Sequence, residues 1–374
     1  MDTFTIIKKL TETPGPSGGE QPIAETITEL WQPLCDTTQT DRVGSVVAIK
    51  AGNKGTTSKE SRPSLLLAAH ADELGLMVAS IIEHKGNGFL RVTELGGVDW
   101  RQLLGQIVVI HGRKSLPAVL GGLPNHMAAE KDHNLAYNAE TLIADPGLPI
   151  EELREIVSIG DFISFRQPLR KLLNGRISGK ALDNRVSVAA VTICLEHLQG
   201  RVHYWNVMAT ATSQEETRYL GAYTSAYRQR PDLAIAIDVT HARGPGTNDS
   251  ELAELSSGPV LGIGANVHPG VFRALKDAAK SLELSVSIEA HASGSGTDAY
   301  AMQVTREGIP TGLVSIPLRY MHTMVETIDL SDVERVGRLL AEFIVRLDDH
   351  FMIELTDVLM RPDLKGSVDE EQEK

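Results

Sequence analysis

Thiol chemistry is almost absent from this chain, which has two cysteines, Cys35 and Cys194, in 374 residues. They lie far apart in apolar, helix-like contexts, so neither a disulfide framework nor a thiolate metal site can be built from them. A basic excess is missing too. A net charge of −13 argues against nucleic acid or an anionic membrane surface as a partner. Nowhere do about eighteen apolar residues run together. The opening residues contain no apolar core followed by a small-residue cleavage site. A soluble, cytoplasmic protein is the expectation. Internal repeats and low-complexity tracts are also lacking, which sets solenoids and fibrous folds aside.

What is present is 42% apolar content and a length suited to one large α/β domain with a smaller companion. Residues 3–12 read as a short helix closed by Thr13-Pro14-Gly15-Pro16. Ser17-Gly-Gly-Glu20 has capping-box spacing ahead of a helix marked by Ile23, Ile27, Leu30 and Leu34. Residues 43–50 suit a strand, 51–63 a polar loop, and 65–70 a strand buried on both faces. From about Leu76 to Phe165 the segments are short, strand-like and separated by glycine-rich turns, with one modest helix at 149–156. That is the pattern of a small β-barrel or sandwich. The expected division is therefore 1–75 and 166–374 as the two parts of one α/β domain and 76–165 as an inserted β-rich domain. The expected fold class is α/β, with a mixed, mostly parallel sheet flanked by helices. Past Gly175 the α/β rhythm resumes: a helix from Asp183 through Leu198, a strand running up to Glu216, and a helix with Leu220, Tyr223 and Tyr227. Strands at 233–238, 285–289 and 311–316 follow, with a helix at 271–282 and a closing amphipathic helix from Leu330 to Phe343. A charged tail begins at Arg361.

The buried strands share one property, which is that each runs into polar residues. His70 and Asp72 follow the first, Glu215 and Glu216 the next, Asp238 the third, and His322 lies just beyond the last. Two adjacent glutamates after a buried strand repel each other and are costly to desolvate. A chain tolerates them where a cation sits or where one must hold a proton. In open α/β sheets ligands bind at the carboxyl ends of the strands. Asp183, opening a helix after Gly179-Lys180, adds a fifth acid. Histidines with several carboxylates and no cysteine form a ligand set for zinc, cobalt or manganese. The His70-x-Asp72 spacing suits a ligand histidine and a carboxylate that fixes its tautomer.

These stretches resemble those of the M42 metallo-aminopeptidases, the glutamyl and tetrahedral aminopeptidase kind. The matching segments are Ala69-His-Ala-Asp-Glu-Leu-Gly75, Gly179-Lys-Ala-Leu-Asp-Asn-Arg185, Ser213-Gln-Glu-Glu216, Ala236-Ile-Asp-Val-Thr-His241, Gly294-Ser-Gly-Thr-Asp298 and Ile316-Pro-Leu-Arg-Tyr-Met-His322. The resemblance implies two divalent metal ions per subunit, with Asp183 bridging them. His70 and Asp238 would complete one site, and Glu216 and His322 the other. Glu215 is implied as general base acting on a water held between the ions, and Asp72 as the residue orienting His70. The implied reaction removes N-terminal residues from peptides. The insert, including Leu95-Gly-Gly-Val-Asp-Trp100, resembles a dimerisation domain, which implies a homo-oligomer, expected to be a dodecamer built from dimers.

Two other readings compete. Glycoside hydrolysis needs two carboxylates facing each other across a sugar. Glu215 and Glu216, on an extended chain, are expected to point to opposite sides. A silent assembly subunit has no physical reason to keep five costly polar residues together. His241 is expected to be second to the ligands or on the surface, and His268 to start a helix before Pro269. Asp298 is expected either to cap a helix or to line the substrate pocket.

Overall fold

Strands apolar on every residue belong where both faces are covered, and the computed structural model places them there. It describes residues 2–55, 62–127, 137–247 and 252–360. The predicted tail from Arg361 and residues 56–61 of the predicted loop lie outside the described residues.

Helices α1 (Thr3–Glu12) and α2 (Gln21–Trp31) lead into strands β1 (Thr37–Thr40), β2 (Val46–Lys50) and β3 (Ser64–His70). Strands β4 (Gly75–His84), β5 (Asn87–Leu95), β6 (Ile107–His111), β7 (Ser115–Gly121) and β8 (Ile143–Pro149) follow, then helix α3 (Ile150–Ile156) and β9 (Phe162–Phe165). The chain continues through β10 (Arg170–Lys171), β11 (Arg176–Gly179), α4 (Leu182–His197), β12 (Asn206–Thr212), α5 (Glu215–Arg218), α6 (Leu220–Gln229) and β13 (Leu233–His241). It closes with β14 (Val260–Gly264), α7 (Pro269–Ser281), β15 (Ser287–His291), α8 (Asp298–Gln303), β16 (Thr311–Leu318), β17 (Glu326–Asp329), α9 (Leu330–Arg346) and α10 (Phe351–Met360).

Eight strands form one sheet in the order β1-β2-β12-β3-β13-β16-β14-β15. The middle four, β12, β3, β13 and β16, run parallel. Every residue of β3 and of β16 is buried. Helix α4 is buried almost all round, from Leu182 to Leu195, and packs on one face with α1 and α9, while α6 and α8 lie against the other. This is the mixed, mostly parallel sheet flanked by helices that the sequence predicts.

Strands β4–β9 close into a six-stranded antiparallel barrel in the order β4-β5-β8-β7-β6-β9. Alternate residues fill it, among them Leu76 and Val78, Leu90 and Val92, Val108 and Ile110, as the period of two along a strand requires.

Three local expectations fail. The capping box at Ser17–Glu20 does not form: Glu20 is the N-cap residue of α2 but makes no side-chain cap, and the Ser17 hydroxyl donates to Asp72 instead. The central strand β12 ends at Thr212, not Glu216. Gln214 then adopts a left-handed conformation (φ 57°) and starts the single turn α5. Glu215 and Glu216 are therefore helical neighbours, about 100° apart around an axis rather than on opposite sides of an extended chain.

Candidate metal centre

Parallel register fixes where the polar residues meet. His70, at the end of β3, pairs with Thr212 on β12. On the other side Ala68 pairs with Ala236 of β13, so Asp238, two residues on, stands level with His70. Strand β16 brings Ser315 beside Asp238. The carboxyl ends of the parallel strands thus open into one cavity of about 550 Å³, lined by His70, Asp183, Glu215, Glu216, Asp238 and His322 among others.

Asp183 sits at the centre. Its Oδ1 lies 3.1 Å from His70 Nε2 and its Oδ2 3.5 Å from His322 Nε2, so one carboxylate faces both imidazoles with separate oxygens. Glu215 Oε2 is 3.7 Å from His70 Nε2, and Asp238 Oδ1 is 3.9 Å from the same nitrogen. Glu216 Oε2 is 3.7 Å from His322 Nε2. Donor atoms of His70, Asp183 and Glu216 lie within 4.8 Å of one another, as do those of His70, Glu215 and Asp238. The structure brings all the predicted ligand residues to one place.

Each imidazole is oriented from behind. His70 Nδ1 faces the backbone oxygen of Asp72 at 3.3 Å and its carboxylate at 3.5 Å, leaving Nε2 to the cavity. His322 Nδ1 lies 3.1 Å from the carbonyl of Gly97, in the loop that follows β5 of the barrel. A Cβ at Gly97 would stand 3.0 Å from that nitrogen, and one at Gly96, where φ is +79°, would run into Leu74 at 2.4 Å. Glycine at both positions lets the barrel reach the site.

The Asp72 carboxylate does more than the spacing suggested. Its oxygens also accept the backbone N–H groups of Glu215 (3.0 Å) and Glu216 (3.2 Å), so it anchors the turn carrying both glutamates. Sequence reasoning missed Glu326. Its carboxylate accepts from the backbone N–H of Asp183 (3.1 Å) and of His322 (3.0 Å), tying together residues far apart in the chain. The sequence offers little signal for it, since β17 reads Glu326-Thr-Ile-Asp329 with an acid at each end. A second miss is the group of Glu73, Lys180 and Arg185, all buried. Lys180 and Arg185 both pair with Glu73. The Arg185 guanidinium also donates to the carbonyls of Ala71, Leu10, Thr13 and Gly15 beneath the strand ends.

Negative charge dominates. Burial, together with Asp238, Asp298 and Glu216, pushes the Glu215 carboxyl up to about 11 despite His70 beside it. Burial and Asp183 raise Glu216 to about 8, and burial lifts Asp238 well above the usual carboxylate range. Burial opposes protonation of His70, but Glu215, Asp183 and Asp72 outweigh it and hold its pKa well above the usual value. The hydrogen bond to Asp183 raises His322 to about 9. Protons occupy a pocket built for more positive charge than the chain supplies. Glu216 Oε1 is buried with no hydrogen-bond partner. Together with a donor set of imidazole and carboxylate, that orphaned oxygen fits a divalent cation.

The residues left over divide. His268 is the N-cap of α7, its side chain accepting from the Gly270 N–H. His241 is exposed at the cavity wall. Asp298 is neither cap nor lining: Thr297 caps α8, and buried Asp298 accepts from the Thr212 hydroxyl at 2.5 Å.

A family model described as M42 glutamyl aminopeptidase matches residues 44–339. The lysyl aminopeptidase of Pyrococcus furiosus is 32% identical over 344 residues, spanning 91% of this chain and 96% of the relative. Among solved structures, the chain is similar to the TET aminopeptidase of Thaumarchaeota archaeon SCGC AB-539-E09, with a TM-score of 0.86 at 30% identity over 94% of this chain and 98% of the other. It is also similar to the Pyrococcus horikoshii TET1 peptidase, which assembles into a tetrahedron or a large octahedral shell, with a TM-score of 0.80 at 28% identity over 92% and 100%.

Proposed function

The chain belongs to the M42 glutamyl aminopeptidase family, and from that premise we infer that it is a metal-dependent aminopeptidase that releases N-terminal residues from peptides. The observation carrying this reading is Asp183, whose two oxygens face two different imidazoles. Asp183 would offer one oxygen to each of two cations, with His70 and Asp238 completing one position and Glu216 and His322 the other. Zinc, cobalt or manganese, bound there, would polarise the scissile carbonyl and lower the pKa of a water molecule toward neutrality. Glu215, on the His70 side of the cluster, takes a proton from the attacking water and returns it to the leaving amine. Asp72 holds Glu215 in place through its backbone N–H and keeps the His70 Nε2 lone pair toward the cavity. Glu326 and the Gly97 carbonyl do the same for Asp183 and His322.

Glycoside hydrolysis is disfavoured for a reason different from the one the sequence suggested. Each glutamate lies against an imidazole, Glu215 at His70 and Glu216 at His322, and a two-carboxylate mechanism has no use for either histidine. A silent subunit is disfavoured by the supporting residues, since Asp72, Gly97 and Glu326 hold an arrangement with no structural benefit of its own.

The assembly we propose is a homo-oligomer of twelve subunits, dimers along the six edges of a tetrahedron, joined through the inserted barrel. Chambers of that kind admit peptides and exclude folded proteins. Neither nucleic acid nor membrane is proposed as a partner, and among the described residues no helix is long and apolar enough to cross a membrane. The cytoplasm is the proposed location.

The test is removal of metal with a chelator, followed by reconstitution, with aminoacyl chromogenic substrates as the assay. Activity is expected to vanish and to return with about two ions per chain. Full turnover by the stripped protein would refute the reading.

A further inference from the structure

One wall of the cavity is unexplained by hydrolysis. The sheet continues past the cluster through β16 and β14 to the edge strand β15, and the cavity follows it to Glu289 and His291. Four of the five carboxylates lining the cavity belong to the cluster, and Glu289 is the fifth. Beside it stands His291, whose Nε2 lies 3.8 Å from Glu289 Oε2, beyond hydrogen-bond range. That His291 nitrogen is itself buried with no hydrogen-bond partner. The two polar groups therefore stand at the inner wall of a half-buried recess with nothing to bind.

The recess is made deep by what β14 lacks. Gly262 is paired with Glu289, and a Cβ there would press on Leu313 at 2.9 Å. With no side chain at that position, the floor between Leu313 and Glu289 stays open. Along the other direction the cavity ends at Thr217 and Arg218, both exposed, on the turn after β12. The cluster on β3 and β13 lies between the half-buried pair Glu289 and His291 on β15 and the exposed turn α5.

Register gives the recess a length. Glu289 lies three strands from Asp238, and Gly262 falls opposite Leu313, two residues back from Ser315, the partner of Asp238. Three spacings of about 4.8 Å and two rises of about 3.4 Å put the two Cα atoms roughly 16 Å apart. After the reach of both acid side chains, a gap on the order of 10 Å remains. An aminopeptidase that places the carbonyl of the first residue at the cluster, with the rest of the peptide leaving past the exposed turn α5, turns that residue's side chain toward β15. A side chain reaching about 6–7 Å from its Cα, with a cation at its tip, spans what is left. Leucine falls short, and a carboxylate would meet Glu289 with like charge.

Resting on the aminopeptidase reading above, we propose that Glu289 is the specificity-determining acid of this site and that the preferred substrates are peptides whose first residue is lysine or arginine. The ammonium or guanidinium would pair with the Glu289 carboxylate, with His291 beside it. Arg218 enters from the opposite side of the cluster and so meets the departing peptide rather than the first side chain.

The test compares lysyl, arginyl, leucyl and glutamyl p-nitroanilides on the metal-loaded enzyme and on Glu289→Gln and Glu289→Arg. Free lysine and norleucine, which differ at the chain end in charge, serve as competing product ligands. The wild type is expected to favour the lysyl and arginyl substrates and to bind lysine more tightly than norleucine. In Glu289→Gln the ratio of kcat/KM for lysyl over leucyl substrate should fall on the order of 10–100-fold, the size of a charge-assisted contact in a half-buried site, with the lysine preference in binding falling alongside. Glu289→Arg should turn the preference toward the glutamyl substrate. A wild type that cleaves leucyl or glutamyl substrates best, or a Glu289→Gln variant in which the ratio is unmoved, overturns the assignment while leaving the peptidase reading intact. No cleavage of any substrate by the metal-loaded wild type would overturn both.

Discussion

Replacing Glu215 and Glu216 one at a time by glutamine separates two roles that adjacent identical residues would otherwise confuse. Both side chains project from α5, and both backbone N–H groups are held by Asp72 whatever the side chain is. Either exchange therefore leaves the turn in place, since glutamine keeps the length and one oxygen of glutamate. What changes is chemistry. Glu215, its pKa pushed to about 11 by burial and by Asp238, Asp298 and Glu216, is protonated at neutral pH in the bare chain. Positive charge in the cavity is what would free it to act as a base, so base and ions must act together. Glutamine at 215 cannot accept a proton, and a positioned base contributes on the order of 10²–10⁴ in rate. Glu215→Gln should keep both ions and the fold and lose turnover by that factor. Glu216 faces Asp183 and His322 and carries the orphaned buried oxygen. Glu216→Gln should therefore bind less metal, with activity partly restored by excess ion. Metal content by atomic emission and kcat, measured on both variants together, decide the matter. Loss of metal from Glu215→Gln with two ions kept by Glu216→Gln would reverse the assignment, and unchanged turnover in both would place the chemistry elsewhere.

Asp72→Asn should lower both metal affinity and kcat, each on the order of 10–100-fold, because an amide cannot accept from two backbone N–H groups and face His70 at once; isothermal titration and steady-state kinetics on the same preparation would check it. Glu326→Gln should cost about the same in metal affinity while sparing the chain's overall fold, because its carboxylate ties the backbone of Asp183 to that of His322; unchanged metal binding with an intact thermal transition would remove it from the site. Sedimentation should give the mass of twelve subunits, and a monomer at micromolar concentration would contradict the proposed assembly while leaving the chemistry untouched.

Much of this was legible because buried parallel strands are simple sequences. Leu65–Ala69 and Leu233–Ile237 are apolar without a break, and Leu313–Ile316 is broken only by Ser315, since both faces of β3, β13 and β16 are covered. The polar residue closing each run is conspicuous for that reason. The barrel was legible from short alternating strands between glycine turns. What stayed hidden depends on contacts between distant segments. Glu326 reads as an ordinary acid until β17 pairs with β11 and carries it under Asp183. Ser17 looks like a cap because Glu20 follows at the right spacing, but a buried carboxylate, Asp72, is the stronger acceptor for its hydroxyl. Strand β14 carries no clear sequence signal, because Gly262 and Gly264 leave it no β-branched run. Strand β12 stops four residues short of Glu216, because one left-handed residue, Gln214, converts the expected strand into a helical turn.

The same charge imbalance that argues for cations also predicts how the fold responds to losing them. Glu216, Glu215 and Asp238 all have folded-state pKa values raised above their ordinary ones. A carboxyl of this kind contributes stability below its unfolded pKa, and that contribution is lost as pH rises through the folded value. His322, raised to about 9, behaves the same way, its contribution present below about 6.5 and lost by about 9. Asp183, held low by His322 and His70 against its own burial, acts oppositely, but only in acid far below this window. Between pH 6.5 and 9 the metal-free protein should therefore become steadily less stable. Ions bound there displace those protons, so their affinity rises with pH, and a ligand present at a thousand times its Kd adds about 4 kcal/mol to folding. Calorimetry of stripped protein with and without added zinc, at pH 6.5 and pH 8.5, reads the difference directly. The rise in Tm on adding zinc should be several degrees and larger at pH 8.5. A rise equal at both pH values, or greater at pH 6.5, would mean that the cluster's carboxyls do not hold the protons that the ions must replace.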